Sequence, residues 1–266
     1  GILPSKVQEL YFFKGLFFFA KLGINHVGIV FGVVFGPVHG HLGVMGLTFD
    51  LAAQRLAVLA AVTLVGSTPF AIVVSANLPV KTMADWIAYA KARPGQLNFA
   101  SSGNGTSIHM SAEMFKHLTQ FNMTHIPYKG SAPALTDLLS GQVSSMFDNI
   151  PSALPHIKAG KLRALATTGA KRDATLPDLP TIAEAGVKGY AAVNWYGLHA
   201  PAKTPAHIIE RLNKELVAVL KSPDIIQQLK DRGIEATPTT ATDYAKFIRD
   251  EEAKWLPVIR KSNIRP

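Results

Sequence analysis

The sequence contains no cysteine among its 266 residues, which excludes a disulfide framework, cysteine-ligated zinc or iron–sulfur centres, and thiol catalysis. Charge is scarce as well. Asp, Glu, Lys and Arg make up 17% of the chain, against roughly 25% in an ordinary soluble domain. Hydrophobic residues nevertheless reach 48%, so a disordered, collagen-like or low-complexity chain is excluded too. The length suits one large or two modest domains with ample material for a core.

The shortage of charge is uneven. Residues 1–66 carry six charged side chains (Lys6, Glu9, Lys14, Lys21, Asp50 and Arg55), and none lies between Lys21 and Asp50. Length and charge alone would admit a membrane span from Leu22 to Thr48. Seven glycines, Pro37, Asn25 and three histidines in that stretch argue against insertion, and buried strand and turn is the expectation. No signal peptide is recognisable, because Lys14 and Lys21 interrupt the apolar run and no small-residue cleavage pattern stands out.

From residue 62 onward strand, turn and helix alternate. Strands are expected at 62–65 and 70–74, split by a turn at Gly66-Ser67-Thr68-Pro69. Thr82 caps a helix over 83–92, with Asp85 three residues on. A strand at 97–100 runs into Ser101-Ser102-Gly103-Asn104-Gly105-Thr106-Ser107, followed by a helix to about Leu118. The unit recurs with strands at 124–127, 142–147 and 162–167 and helices at 132–139 and 152–159. Thr181 and Glu184 form a capping box on a short helix. A strand at 191–200 returns before a helical tail at 205–221, 223–232 and 243–261. Alternation of this kind predicts a mostly parallel, doubly wound α/β sheet.

Motifs for covalent chemistry are missing. Gly103-x-Gly105 opens like a dinucleotide fingerprint, but Ile108 stands at the third glycine position, and no Gly-Lys-Ser/Thr follows a glycine loop. Gly-x-Ser-x-Gly is absent. His39-x-His41 has no nearby acid to complete a metal site, and His109, His117 and His125 are spaced too far apart for one helix face; they are expected to be isolated structural or surface histidines. The Lys and Arg residues are dispersed, which argues against nucleic acid. What remains is a glycine- and hydroxyl-rich turn at a helix N-terminus. It is an anion site by geometry, and equally an ordinary capped turn. Asp148-Asn149 ends a strand where open α/β sheets place ligands, and Asp148 either accepts from a ligand hydroxyl or ammonium group or caps its own turn. Tyr128 and Lys129 occupy the equivalent place one unit earlier.

The motifs from Leu97 through Ser107 with His109, from His125 through Ala134, Met146-Phe147-Asp148-Asn149, 154–166, 179–186 and Trp195-Tyr196-Gly197-Leu198 occur densely and in order. In these the sequence resembles the Bug-type periplasmic solute-binding proteins of tripartite tricarboxylate transporters. The resemblance implies a two-lobed Venus-flytrap fold of the type II periplasmic-binding-protein kind. One lobe would comprise residues 1–96 plus 197–266 and the other 97–196, with hinge crossings near Leu97 and Gly197. It implies a cleft that closes on a small carboxylate: a di- or tricarboxylate, an aromatic acid or an acidic amino acid. Ser102, Gly103, Asn104, Gly105, Thr106 and Ser107 would supply amides and hydroxyls, Tyr128 and Asp148 would line the cleft, and Ser67 would contribute from the other side. The family's Pro-Phe-x-x-Gly-Gly loop is not recognisable, its nearest echo being Val34-Phe35-Gly36-Pro37 with Gly40.

The expected protein is therefore a periplasmic, monomeric, non-enzymatic receptor without cofactor, metal, nucleic-acid partner or membrane insertion, docking transiently on the transporter's membrane subunits. A net charge of +9 gives a field favourable to anionic solutes. The alternatives are a ligand-sensing domain, for which no preceding helix-turn-helix is present, and an α/β enzyme acting on a small organic acid, for which no nucleophile, base pair or metal set is recognisable.

Overall fold

The computed structural model describes residues 32–35, 59–262 and 264. Gly36, Pro37, Gly40 and the His39-x-His41 pair lie outside them, as does the rest of the 22–48 stretch apart from strand β1 (Gly32–Phe35). Among the described residues no helix is long and apolar enough to cross a membrane.

The fold is built on one long strand, β2 (Leu59–Ser75). The turn expected at Gly66-Ser67-Thr68-Pro69 is instead continuous strand. Its residues face Tyr196, Trp195, Asn194 and Val193 of β7 (Val193–Pro201) in antiparallel register, and Gly66 and Ser67 also pair with β8 (Glu235–Ala236). Pairing on both edges overrides local turn propensity. The register shift between Leu64 and Gly66 and the close pass of the Glu235 carbonyl over Gly66, which leaves no space for a Cβ, explain the glycine there.

The partners of β2 change at Pro69. Up to that residue it pairs with β7; from Phe70 it pairs antiparallel with β5 (Ser145–Asn149) and β6 (Leu162–Thr167). Beyond β5 come β3 (Asn98–Ser101) and β4 (Thr124–Pro127), and the β3–β5 and β3–β4 pairings are parallel. Parallel pairing thus holds for β3, β4 and β5, whereas β2 pairs antiparallel, because it leads into this sheet from the β7 side instead of returning through a helical crossover.

Helices follow the strands much as expected: α1 (Met83–Lys91), α2 (Ser107–Thr119), α3 (Ser131–Ser140), α4 (Ile150–Lys158), α5 (Ala206–Leu220), α6 (Pro223–Lys230) and α7 (Ala241–Ser262). The Thr82 hydroxyl accepts from the Asp85 amide and Asp85 accepts from the Thr82 amide, a capping box. It starts α1 so that Trp86 is fully buried, with ring centroids 5.4 Å from Phe115 and 5.1 Å from Phe121. Thr181 and Glu184 also exchange both capping bonds, but the segment stays a turn rather than the expected helix; Gly186 and Gly189, both at positive φ, leave no length for a second turn of helix. The main core lies under β2, β3, β5 and α1–α3, and a smaller cluster of Leu64, Trp195 and Tyr244 lies on the β7 side.

Candidate functional site

Parallel strands β3, β4 and β5 end on the same side of the sheet, so the segments that follow them are neighbours there. Ser102–Ser107 follows β3, Tyr128–Ser131 follows β4, and Asp148-Asn149 closes β5. Backbone bonds tie the first two together: the Tyr128 amide donates to the Ser101 carbonyl (3.0 Å) and the Gly130 amide to the Ser102 carbonyl (3.2 Å). The turn itself needs its glycines, because Gly103 has φ 139° and Gly105 φ 71°, a region where a Cβ is strained.

Thr106 is the N-cap of α2, its hydroxyl accepting from the His109 amide at 3.1 Å. The Gly105 amide donates to His109 Nδ1 at 3.0 Å. Among the described residues no hydrogen bond engages the amides of Ser107 and Ile108 or the Ser107 hydroxyl, which leaves them as donors at the positive end of a 13-residue helix. Asn104 is exposed and Ser102 half-buried, so the turn is reachable from solvent. These features suit a carboxylate.

Asp148 has no accessible surface. Its Oδ2 accepts from the Ser152 hydroxyl at 2.6 Å, while Oδ1 has no hydrogen-bond partner among the described residues. Burial pushes its carboxyl from 3.8 up to about 6, against the downward pull of Ser152, the Asn149 amide and the Ser131 hydroxyl. Its bond from Ser152 reaches the first turn of α4, and the pull of Ser131 at the first turn of α3 sets Asp148 beside the second segment. A buried carboxylate oxygen without a donor is costly, and a ligand hydroxyl or ammonium group would satisfy it.

Tyr128 and Ser67 are placed differently. The Tyr128 hydroxyl donates to Asp137 Oδ2 at 2.7 Å; burial, and then the neighbouring carboxylate, push it up to about 12, so it stays a donor committed to α3. Ser67 sits half-buried in β2 between Trp195 and Glu235, and among the described residues no hydrogen bond joins it to the three segments.

Several contributors were not anticipated. Ser152 lies four residues after Asp148, a spacing that carries a strand-end side chain to the first turn of the next helix. Thr168 accepts from the Phe70 amide through its hydroxyl (2.7 Å) and donates its own amide to the Phe70 carbonyl (2.9 Å), which pins β2 where its partners change. The histidines expected to be isolated are not. His109 on α2 and His125 on β4 stack with centroids 3.7 Å apart and planes at 10°, and Phe99 stacks on His125 at 4.9 Å. Among the described residues no group of three His, Cys, Asp or Glu residues could hold a metal ion.

A family model described as tripartite tricarboxylate transporter family receptor matches residues 46–264. The protein BugT of Bordetella pertussis is 37% identical over 209 residues, covering 78% of this chain and 64% of that protein. A protein encoded in the tcbD-tcbE intergenic region of Pseudomonas sp. strain P51 is 36% identical over 199 residues, 74% of this chain and 59% of its own length. The chain spans about three fifths of the length of such curated relatives. Among solved structures, an R. palustris protein with adipate superposes with a TM-score of 0.73 at 35% identity, covering 89% of this chain and 78% of that one. MatC from Rhodopseudomonas palustris with bound malate superposes at 0.64 and 29% identity, covering 76% and 69%. The α/β fold is that of periplasmic solute-binding proteins, and the chain belongs to the tripartite tricarboxylate transporter receptor family.

Proposed function

We propose that this protein is a periplasmic receptor that captures a small organic carboxylate and delivers it to tripartite tricarboxylate transporter membrane subunits. The observation that carries the reading is the joining of three strand-end segments around free donors at the start of α2, with the orphan Oδ1 of Asp148 beside them. The ligand carboxylate takes the Ser102–Ser107 amides and hydroxyls, and a hydroxyl or ammonium group on the ligand donates to Asp148. Solved relatives with adipate and malate support a carboxylate ligand. Ser67, on the half of β2 that pairs with β7, contributes from the opposing wall.

Two lobes are part of the proposal. The family resemblance implies crossings near Leu97 and Gly197; the change in β2 pairing between Pro69 and Phe70, and the start of β7 at Val193 opposite Pro69, support moving them to those positions. Phe70–Ala192 then forms one lobe. Ligand contacts from both sides favour the closed state and so set the affinity.

The test is thermal unfolding against adipate, malate, citrate, benzoate and glutamate. A bound ligand at a hundredfold its Kd adds about 2.7 kcal/mol, a rise of roughly 5–10 °C for a chain of this size. No rise with any of them defeats the reading. Asp148→Ala is expected to weaken malate and glutamate more than adipate by calorimetry; equal losses would remove Asp148 from the assigned role.

A further inference from the structure

The donor turn is held from behind by two imidazoles. Ser101 Oγ lies 2.6 Å from His125 Nε2 and accepts from the Gly103 amide at 3.1 Å, while the Gly105 amide donates to His109 Nδ1 at 3.0 Å. The two rings are in face-to-face contact, so the bonds at both ends of the turn depend on one stacked pair. The bond from Gly105 also fixes a tautomer: Nδ1 of His109 is an acceptor, so its proton sits on Nε2, 3.7 Å from Glu113 Oε1.

We propose that His109 and His125 are positioning residues for the Ser101–Gly105 turn, and that a proton taken up by the pair removes the acceptor from the Gly105 amide and weakens ligand capture. The inference rests on the receptor reading above. A doubly protonated imidazole has only donors, so a proton arriving at His109 Nδ1 sets donor against donor across the Gly105 contact. The turn must then shift, because among the described residues the Gly105 amide makes no other hydrogen bond.

The charged groups facing the pair come from two helices. Glu113 and Lys116 lie on α2 itself, Glu113 accepting from Lys116 Nζ at 2.6 Å; His117 on α2 and Lys261 on α7 line the cavity behind the rings; and Ser262 of α7 also reaches Glu113. β3 contributes only Phe99 and Ser101. Burial pushes the Glu113 carboxyl up, but hydrogen bonds from His109, Lys116 and Ser262 outweigh it and hold it at about 2. Glu113 is therefore an anion at both pH 5 and pH 7.5, ready to pair with a proton placed on His109. Burial first, then the His109 charge, hold His125 down at about 4, so the two rings resist carrying two protons together. The cavity of about 710 Å³ behind the pair, lined by Asn104, His109 and His125 among others, gives protons access from solvent.

Calorimetry with adipate and malate at pH 7.5 and pH 5, on the wild-type chain and on H109N, H109F and H125Q, tests this. H109F keeps the ring stack and loses the acceptor, and about a tenfold loss of affinity is expected at pH 7.5, the value of one hydrogen bond to a half-buried amide. In H109N the amide oxygen stands near the old Nδ1; it recovers most of that loss and cannot be charged. H125Q likewise restores a partner for Ser101. Asp148 titrates in the same range, so the difference between wild type and H109N carries the result: the wild-type affinity falls several-fold further on acidification than that of H109N. Equal falls, or H109F binding like wild type, overturn the inference. Circular dichroism melts establish that each variant folds. The Gly105 amide and imidazole ¹⁵N resonances of the ligand-free protein are read alongside. If neither carboxylate binds the wild type at pH 7.5, the five-acid thermal series decides the receptor reading, and the Gly105 amide decides the coupling. A Gly105 amide that moves with His109 protonation still supports the coupling, and one that does not overturns it.

Discussion

Replacing Asp148 by Asn separates the cost of a buried charge from everything else in the site. The carboxyl shows no accessible surface and has a single good hydrogen bond, from Ser152. In the unfolded chain it titrates near 3.8, and in the folded chain near 6. Between those values the folded state holds a proton that the unfolded state releases, so stability falls as pH rises through the window. At 1.36 kcal/mol per pH unit the loss is complete above pH 6 and amounts to about 3 kcal/mol. Asn has the shape and neutrality of the protonated acid, and its carbonyl still accepts from Ser152. Asp148→Asn should therefore match wild type near pH 4 and exceed it by about 2–3 kcal/mol at pH 7.5. Two other groups titrate nearby with opposite sign. His125, held down at about 4 by burial first, loses stability as pH falls from 6.5 toward 4; Glu113, at about 2, loses it as pH falls from 4.5 toward 2. Both are present in each protein and cancel in the difference. Urea unfolding followed by tryptophan fluorescence at half-unit steps from pH 4 to 8 gives that difference. A difference that does not change with pH, or an Asn variant less stable than wild type at pH 7.5, would refute the reasoning, and the second result would mean that Asp148 is stabilised as an anion by a donor from the chain itself.

The remaining expectations concern stability. A Cβ at Gly197 would overlap the hydroxyl end of the Tyr244 ring, so Gly197→Ala should destabilise by about 2–4 kcal/mol in thermal or urea unfolding. The buried Tyr244 hydroxyl has no hydrogen-bond partner among the described residues; Tyr244→Phe should be neutral or stabilise by about 1 kcal/mol, and a clear loss would reveal a missed partner. Thr168→Val strips the buried Phe70 amide of its acceptor hydroxyl and should cost about 1–3 kcal/mol, with faster hydrogen exchange at Phe70. Thr82→Ala breaks the capping box of α1 for about 1 kcal/mol in urea unfolding.

The α/β class was legible because hydrophobic runs of strand and helix period alternate from residue 62 onward, and the start of α1 was legible because Thr82 and Asp85 encode their own cap. Gly66-Ser67-Thr68-Pro69 misled for a definite reason. Its composition reports local turn preference, whereas its conformation is set by Val193–Trp195 and Glu235, well over a hundred residues away. The antiparallel habit of β2 was hidden likewise, since strand direction is a property of the partner and not of the run of residues. Thr181-x-x-Glu184 shows the converse: the capping bonds form as read, yet a cap does not make a helix when glycines at positive φ follow at once.

The site divides along the same line. Gly103 and Gly105 announce a turn, and the Asp148–Ser152 and Gly105–His109 bonds span four residues each, the reach from a strand end or turn into the first coil of the next helix. Such pairs are accessible to a sequence reading that looks for them. The stack of His109 on His125 is not, because it joins a helix to a strand through the fold, and spacing along the chain treats the two as unrelated. Tyr128 fails in the other direction: its position beside the turn was readable, but Asp137, nine residues on, claims its hydroxyl. Position in an α/β unit therefore predicts which residues gather at the strand ends, and only the bonds already made inside the fold decide which of them still have a donor or acceptor to offer. By that criterion, among the described strand-end residues, Asp148 Oδ1 and the first amides of α2 have capacity left. They are of opposite kind, one an acceptor and the others donors, so under the proposed receptor reading a solute that carries both an acceptor and a donor engages both, whereas a plain diacid engages the amides alone.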